Sequence, residues 1–450
     1  MIESRSTESD LETAYRRESY WLDSIPESLE PLPGLDGDIT CDVVIVGAGF
    51  GGLWTAYHLK RAVPDIDIVM LEAETAGYGA SGRNGGALGG IYNGFEQWVA
   101  DPGTRDGAVA VKKDMIRAVY RIGEICEAEG IDCHYAREGN YMVATTAREE
   151  AVVQSMVKGY GALGFGPPDY ELLDARDTER HVAIDGVRSC VFSPHFAAIH
   201  PARLARGLAK AVRRKGVRLF ERTRVRTTAS GSVTTDQGSV RAQTVVLAAE
   251  AYLQSIKGFK RLVAPIHGQM VATAPLGSEM LERTGITPPS RPYFSVLSPL
   301  PLYGQPTADG RIVIGAGDAY YFGSRLKKGA EFRSQFVHGR LLDSFPKLRD
   351  VPITHRWGGA MGFSRDRAPT VFLNAQKTLA WIGGFSGSGL APSFLMGATL
   401  ADLIAGRKSE RTSYPWVRDG FPRHWEPEPL RWIGVTAASR WIHLQDYFNR

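Results

Sequence analysis

The stretch DVVIVGAGFGG at 42–52, followed at 68–72 by IVMLE, constrains the fold of this chain more than any other feature. The run 43–46 is too short for an independent helix and is rich in β-branched residues. It therefore reads as a strand buried on both faces, the habit of parallel sheets. Gly47 permits a tight turn, Gly49 leaves room for a pyrophosphate to approach the backbone, and Gly52 lets the next helix lie close on the strand. A helix is predicted over 53–60, and its N-terminus offers N–H groups and a partial positive charge to phosphate oxygens. Glu72 closes the second apolar run, where it can accept from both hydroxyls of an adenosine ribose and would repel a 2′-phosphate. With Phe50, Gly51 and Ala73, these residues make up a dinucleotide site. The pattern does not separate NAD from FAD.

The 450 residues allow two or three domains, and 43% hydrophobic with 23% charged residues is ordinary for a globular protein. A formal charge of +4 gives no reason to expect a nucleic-acid partner. The basic stretch 210–218 reads as a solvated helix face. Four cysteines without CxxC spacing exclude a metal cluster or disulfide framework and suit a reducing, cytoplasmic setting. The first residues are polar, with no secretory h-region, and no transmembrane run is present.

Along the chain, 1–38 reads as a polar N-terminal arm. The glycine-dense segment AGYGASGRNGGALGGIYNG (76–94) cannot be a helix or strand interior. Helical periodicity covers 105–130 and 201–215. Strands are predicted at 139–144, 217–220, 222–227, 245–249, 263–273, 293–297 and 311–315, with a hairpin formed by 231–235 and 238–240. Residues 378–406 give a strand, a glycine loop and a long apolar helix. The expected fold is α/β (α+β overall), with a discontinuous Rossmann-type nucleotide domain at 39–95, 195–260 and 351–410. A mixed-β substrate domain is inserted at 96–194 and 261–350, and 411–450 forms a C-terminal tail. There are no internal repeats.

The segments GAGFGG (47–52), GASGRNGG (79–86), IHPARLARGL (199–208), VVLAAEAY (245–252), PIHGQ (265–269), WGGAMGFSRDRAP (357–369) and GGFSGSGLAPS (383–393) resemble the FAD-dependent oxidoreductases of the D-amino acid oxidase, glycine oxidase and sarcosine oxidase family. SYWLDSIPE (19–27) and EPEPLRW (426–432) are most similar to its γ-glutamylputrescine oxidase branch. The resemblance implies FAD as the cofactor. Gly79, Ser81, Arg83, Asn84, Gly85 and Gly86 would border the flavin side, with Ser81 and Arg83 as donors to the pyrophosphate. Val225 and Ala249 would lie beside the adenosine part. Gly387, Ser388, Gly389 and Leu390 would place a helix N-terminus at the electron-rich edge of the ring. No cysteine follows Cys190, and the loop carries Arg83 and Asn84 where covalent relatives have a histidine, so non-covalent FAD is expected.

No second strand–GxGxxG–helix unit is apparent, so the substrate itself should supply the electrons. The family chemistry implies hydride transfer from the carbon beside an amine or amino-acid nitrogen to flavin N5, with reoxidation by O2 to H2O2. An amine dehydrogenase, an NAD(P)H-driven flavin monooxygenase (IGAGDAY, 314–320, faintly matches its second phosphate motif) and a non-catalytic FAD-binding subunit are the other readings. His267, Gln269 and Asn84 are the candidate catalytic residues. His267 stands where the branch often has arginine. Tyr293, Phe294 and Tyr303 could line an apolar pocket. Glu250, in place of a small or amide residue, is expected to point away from the phosphates or to pair with a cation. His200 reads as a helix-entry residue, and Trp357 and Asp366 as structural or flavin-proximal. No metal site is expected. The apolar and basic residues of 430–448 read as a docked helix, a route to oligomers or a membrane-surface element.

Overall fold

The computed structural model describes residues 8–449. Its first sheet is built around Ile39–Val46, which lies between Ile68–Leu71 and Ser239–Leu247, both parallel to it. Arg218–Phe220 extends the parallel set beyond Ile68–Leu71, and Leu379–Gly383 extends it on the other side. Thr370–Leu373 and Val417–Arg418 complete that edge. The alternation of the first strand explains its apolar run. Val43 and Ile45 face a core shared with the helices Phe50–Ala62, Pro201–Arg214 and Leu390–Ile404. Val44 and Val46 face the opposite core, under the antiparallel strands Val225–Ala229 and Ser232–Thr235. The helix Leu390–Ile404 is apolar on nearly every side because it lies between Phe50–Ala62 and Arg105–Glu129. A Cβ on Gly397 would stand 2.9 Å from Thr55 N, so glycine there permits the close approach of the two helices.

The second sheet runs Ile353–Phe363, Ala264–Thr273, Ile312–Ala319, Leu302–Pro306, Tyr293–Val296, Asn140–Ala144, Ser189–Ser193, Glu171–Asp174. It is antiparallel except where Tyr293–Val296 meets Asn140–Ala144. The fold is the expected mixed α/β architecture, with several local differences. The hairpin arm 238–240 and the buried strand 245–249 are one continuous strand, Ser239–Leu247. It pairs antiparallel with Ser232–Thr235 at its start and parallel with the first strand along its length. The third nucleotide segment, expected from 351, gives its first strand to the second sheet, where Ile353–Phe363 pairs with Ala264–Thr273. The chain rejoins the nucleotide sheet at Thr370. Helix Arg105–Glu129, expected in the substrate domain, places Val111, Met115, Val119 and Ile122 in the nucleotide-side core.

The arm also departs from its polar reading. Residues 1–7 lie outside the described region. Beyond them Tyr15, Tyr20, Trp21, Leu22, Ile25 and Leu29 are buried with Ala202, Met270, Val313 and Trp357, which makes this segment part of a core against the second sheet and the helix Pro201–Arg214.

Candidate active site

The glycine turn has the backbone its sequence requires. Gly47 adopts φ +105°, and a Cβ there would sit 2.8 Å from Ala248 O. A Cβ on Gly52 would fall 2.1 Å from Gly47 O, so only glycine allows the helix to start this close to the strand. Gly49 is the N-cap of that helix and makes no side-chain cap bond. The helix N–H of Phe50 donates instead to Ser81 Oγ at 2.9 Å, which brings the flavin-side loop onto the turn. Glu72 ends the neighbouring strand and accepts from Ala48 N at 2.8 Å and Glu74 N at 3.0 Å. Burial pushes its carboxyl up to about 7, against the pull of these two N–H groups. Ala249 passes directly over Gly47, where a Cβ would meet its Cα at 3.1 Å. The Val225 side chain belongs to the apolar core of that face.

The loop 79–86 is held almost entirely by its carbonyls. Ser19 Oγ donates to Gly82 O (2.8 Å), Trp357 Nε1 to Arg83 O (2.9 Å), Trp21 Nε1 to Asn84 O (2.7 Å) and Gln305 Nε2 to Gly85 O (2.8 Å). Two of these four donors come from the N-terminal segment. Gly86 has φ +70°, and a Cβ there would lie 2.0 Å from Gln305 Nε2.

Two expectations about this loop need correction. Asn84 was a candidate catalytic residue, but its amide is consumed locally. Nδ2 donates to Ala80 O and Ser81 O, and Oδ1 accepts from Gly86 N. It shapes the loop, and both of its amide N–H groups are committed there. Arg83 was expected to serve the pyrophosphate. Its buried guanidinium lies 3.1 Å from the Glu18 carboxylate, 4.4 Å over the Tyr78 ring, and donates through Nε to Tyr78 O. An arginine so paired braces the N-terminal segment against the loop.

The second glycine loop, Gly384–Gly389, has an anchor of its own. Glu250 (φ +45°) accepts from Gly384 N and Phe385 N, both at 3.1 Å. It neither points away nor pairs with a cation, as its charge suggested. It is the acceptor that shapes this loop. Burial pushes its carboxyl up to about 7, while the N–H groups of Gly384, Phe385 and Gly362 pull it down. A Cβ on Gly383 would sit 2.7 Å from Glu250 Oε2, and one on Gly362 would sit 2.9 Å from its carboxyl carbon, so both flanking glycines make way for it. Asn93 Nδ2 holds the carbonyls of Phe385 and Ser386 from the other side. The helix Leu390–Ile404 then starts at Gly389 without a side-chain cap, leaving its first N–H groups free of one. Gly51 and Phe385 place the two glycine elements side by side, with 3.6 Å between the ring and a Cβ on Gly51.

The substrate side lies where these loops meet the second sheet. A Cβ on Gly85 would meet the Tyr303 ring at 2.9 Å and Tyr293 Oη at 3.1 Å. One on Gly268 would meet Met361 Cε at 3.2 Å, and one on Gly387 would meet Met361 Sδ at 3.5 Å. Tyr293 and Tyr303 thus pack against the first glycine loop, and Met361 against Gly268 and the second loop. Phe294 points instead into the core of the second sheet. Burial raises both tyrosines, Tyr303 to about 12, so their hydroxyls stay protonated.

His267 is fully buried, accepts through Nε2 from Lys327 N at 3.2 Å, and packs against the rings of Tyr321 and Phe332. Burial lowers it to about 4. It is a neutral ring packed beneath the segment 321–332, with Nδ1 left without a hydrogen-bond partner among the described residues. Gln269 is half-buried beyond a β-bulge on the same strand, opposite Gly358. His200 caps the helix Pro201–Arg214, as expected. Asp366 accepts from Ala368 N and pairs with Arg418. The basic stretch is partnered, Lys210 with Glu27, Arg214 with Glu129 and Arg218 with Asp67. The IGAGDAY glycines form no phosphate turn. They lie in the strand Ile312–Ala319, where a Cβ on Gly315 would meet the Tyr303 ring at 2.5 Å. The second dinucleotide site of a monooxygenase is therefore absent from this segment. No group of metal-ligating side chains occurs among the described residues.

A family model described as FAD dependent oxidoreductase (DAO) matches residues 42–403. The chain belongs to the DAO family of FAD-dependent oxidoreductases. Members of this family act on amines or amino acids with FAD as cofactor, and this chain is such an enzyme. It is 33% identical over 381 residues to a gamma-glutamylputrescine oxidoreductase of Escherichia coli K12, covering 84% of this chain and 86% of that one. Glycine oxidase of Geobacillus kaustophilus is 25% identical over 382 residues, covering 82% and 94%. Its crystal structure superposes with a TM-score of 0.69 over 86% of this chain and 100% of that one, at 20% identity. The residues present fit FAD. The glycines at 47, 49 and 52 leave no side chain over the turn, Glu72 is bonded to Ala48 N of that turn, and the helix starts at Gly49 and Gly389 carry no side-chain cap.

Site-supporting residues that the sequence did not reveal are Glu18, Ser19, Trp21, Asn93 and Gln305, with Glu250 assigned a different role. The one available signal was the aromatic pair Tyr20–Trp21 inside an otherwise polar arm.

Proposed function

We propose that this enzyme is an oxidase, converting the C–N bond of a primary or secondary amine or an amino acid to an imine, with O2 as electron acceptor and H2O2 as co-product. Bound FAD supplies the acceptor for the hydride on the carbon beside nitrogen and delivers the two electrons to O2. The observation that carries the reading is the packing of Tyr293 and Tyr303 against Gly85 of one glycine loop and of Met361 against Gly387 of the other. A side of aromatic rings, thioether and glycine favours the neutral amine, the form whose lone pair can assist hydride loss. The two protonated phenols can orient a substrate by hydrogen bonding, and Gln269 is a further candidate for the same strand. Asn84, Gln305, Trp21 and Trp357 hold the loop that forms one side of this space. Glu250 and Asn93 hold the other.

The E. coli relative suggests γ-glutamylputrescine or a similar amide-bearing amine as a first substrate to test, with FAD held without a covalent link. We also infer a cytoplasmic setting, supported by four free cysteines that include Cys126 and Cys133 with sulfurs 3.7 Å apart. A peroxide-coupled screen of γ-glutamylated and free polyamines, simple amines and amino acids on the yellow holoenzyme tests the proposal. Peroxide formed in step with one of these amines is the expected outcome. Flavin reduction by amine without peroxide would move the enzyme to the dehydrogenases, and reduction by no amine would reject the reading.

A further inference from the structure

The helix Leu430–Asn449 is docked by a mixed side, on which half-buried Val435 and Ile442 lie among polar groups that bond to the body. Buried Arg431 donates to Glu428 Oε1 and Lys260 O, Ser439 Oγ donates to Asp318 Oδ1 at 3.2 Å, and buried Asp446 accepts from Leu300 N and lies 3.5 Å from Arg340 Nη1. Asn449 Nδ2 continues this side to Glu149 Oε1 at 2.8 Å. The opposite side is a single apolar stripe, Leu430, Ile433, Ala437, Trp441, Leu444 and Phe448, spaced by three or four residues and exposed throughout. Trp441 is 62% exposed and Phe448 81%. A surface helix of a globular protein turns its apolar stripe to the core and its polar residues to water. This helix turns its larger apolar stripe outward while its docked face holds Arg431, Ser439 and Asp446 beside Val435 and Ile442, so its outer face is made for a neighbour other than water.

Charge selects that neighbour. With Arg431 and Asp446 buried, the formal charge exposed on the helix is Arg440, and no exposed acid lies on it. Phe322, 61% exposed, packs edge-on against Trp432 and extends the apolar face into a segment carrying Arg325 and Lys328, with Glu331 3.9 Å from Arg325. Exposed Lys257, Lys260 and Arg261 continue the basic rim at the Arg431 end. A second copy of this face would bring cation to cation. An anionic bilayer offers apolar depth to the stripe and counter-charge to the rim, and tryptophans and tyrosine beside arginine suit the headgroup level. No helix among the described residues is long and apolar enough to cross a membrane, so the contact lies along the surface.

We propose that the outward apolar stripe of Leu430–Asn449, rimmed by basic residues, is a docking face for an anionic lipid surface. The test uses full-length holoenzyme and flotation with vesicles of phosphatidylcholine alone or with added phosphatidylglycerol, in low and high salt. The wild type should float with the anionic vesicles, lose binding as salt rises, and shift its tryptophan emission to the blue. The double substitution Trp441→Glu with Leu444→Glu should reduce the bound fraction by about tenfold or more, as expected when an interfacial apolar face is charged. FAD content and amine turnover of the variant in solution report its folding and should match the wild type. Failure to float with either vesicle overturns the proposal. A dimer that the double variant dissolves, without vesicle binding, assigns the stripe to a second copy and also overturns it. Equal binding to neutral vesicles overturns the choice of an anionic surface.

Discussion

Replacing Glu250 by alanine removes the acceptor that two backbone N–H groups of the Gly384–Gly389 loop share. A buried donor left without a partner costs about 1–3 kcal/mol, so two give about 2–6 kcal/mol, and water entering the vacated space recovers part of this. We therefore expect a loss of about 3 kcal/mol, roughly a hundredfold in an equilibrium constant. Because the loop borders the FAD cradle, much of that loss should appear as weaker FAD binding, with the remainder as lower stability of the apoprotein. Titrating apoprotein with FAD by flavin fluorescence and unfolding it in urea separate the two. Glycine at the same position offers an internal control. The backbone at 250 has φ +45°, which costs a residue with a Cβ about 1 kcal/mol or more, so Glu250→Gly should be milder than Glu250→Ala by about that amount. If Glu250→Ala binds FAD within about twofold of wild type and unfolds within about 0.5 kcal/mol of it, the role assigned to this carboxylate is wrong, since changes that small are what a surface substitution gives.

Gly52→Ala should abolish FAD binding, because its Cβ would stand 2.1 Å from Gly47 O and push the helix off the strand; the yellow colour of the purified protein reads this directly. Trp21→Phe removes the 2.7 Å bond to Asn84 O and part of the buried indole, and should cost about 2 kcal/mol or more of stability with a measurable rise in the FAD dissociation constant. His267 has its pKa lowered from 6.5 to about 4 by burial, so its contribution to stability is complete above 6.5 and is lost as pH falls from 6.5 through 4. His267→Gln should flatten that acid limb in urea unfolding and leave the pH profile of amine-dependent flavin reduction unchanged.

The parts of the fold written in local pattern were legible in the sequence. Val43–Val46 alternates between two cores, Gly47 and Gly52 meet backbone at distances no side chain allows, and the helix Leu390–Ile404 is apolar all round because helices cover it. Pairing between distant segments was not legible. Periodicity identifies Arg105–Glu129 as a helix without saying which sheet it covers, and the mixed sequence of Ile353–Phe363 announced neither a strand nor its pairing with Ala264–Thr273. The substrate side was least accessible. Polarity made Asn84 and His267 look available for chemistry, whereas the structure commits the Asn84 amide N–H groups to its own loop and packs His267 among the rings of Tyr321 and Phe332 with only Nε2 bonded. Glu250 looked like a liability beside phosphate, and only the positions of Gly384 and Phe385 reveal it as the acceptor that shapes a loop. Trp21 illustrates the same limit, since nothing in an arm sequence announces a donor to a carbonyl more than sixty residues later.

The most direct test of the account follows the flavin's visible absorption in a stopped-flow instrument. Holoenzyme is mixed anaerobically with the best amine from the screen, and the reduced protein is then mixed with oxygenated buffer. Bleaching by the amine alone, without NADH or NADPH, followed by return of the oxidised band with O2 at a rate no slower than steady-state turnover and one H2O2 per flavin, is the expected result. An enzyme bleached by NADPH and by no amine, or one whose reduced flavin returns far more slowly than it turns over with another acceptor, would contradict it.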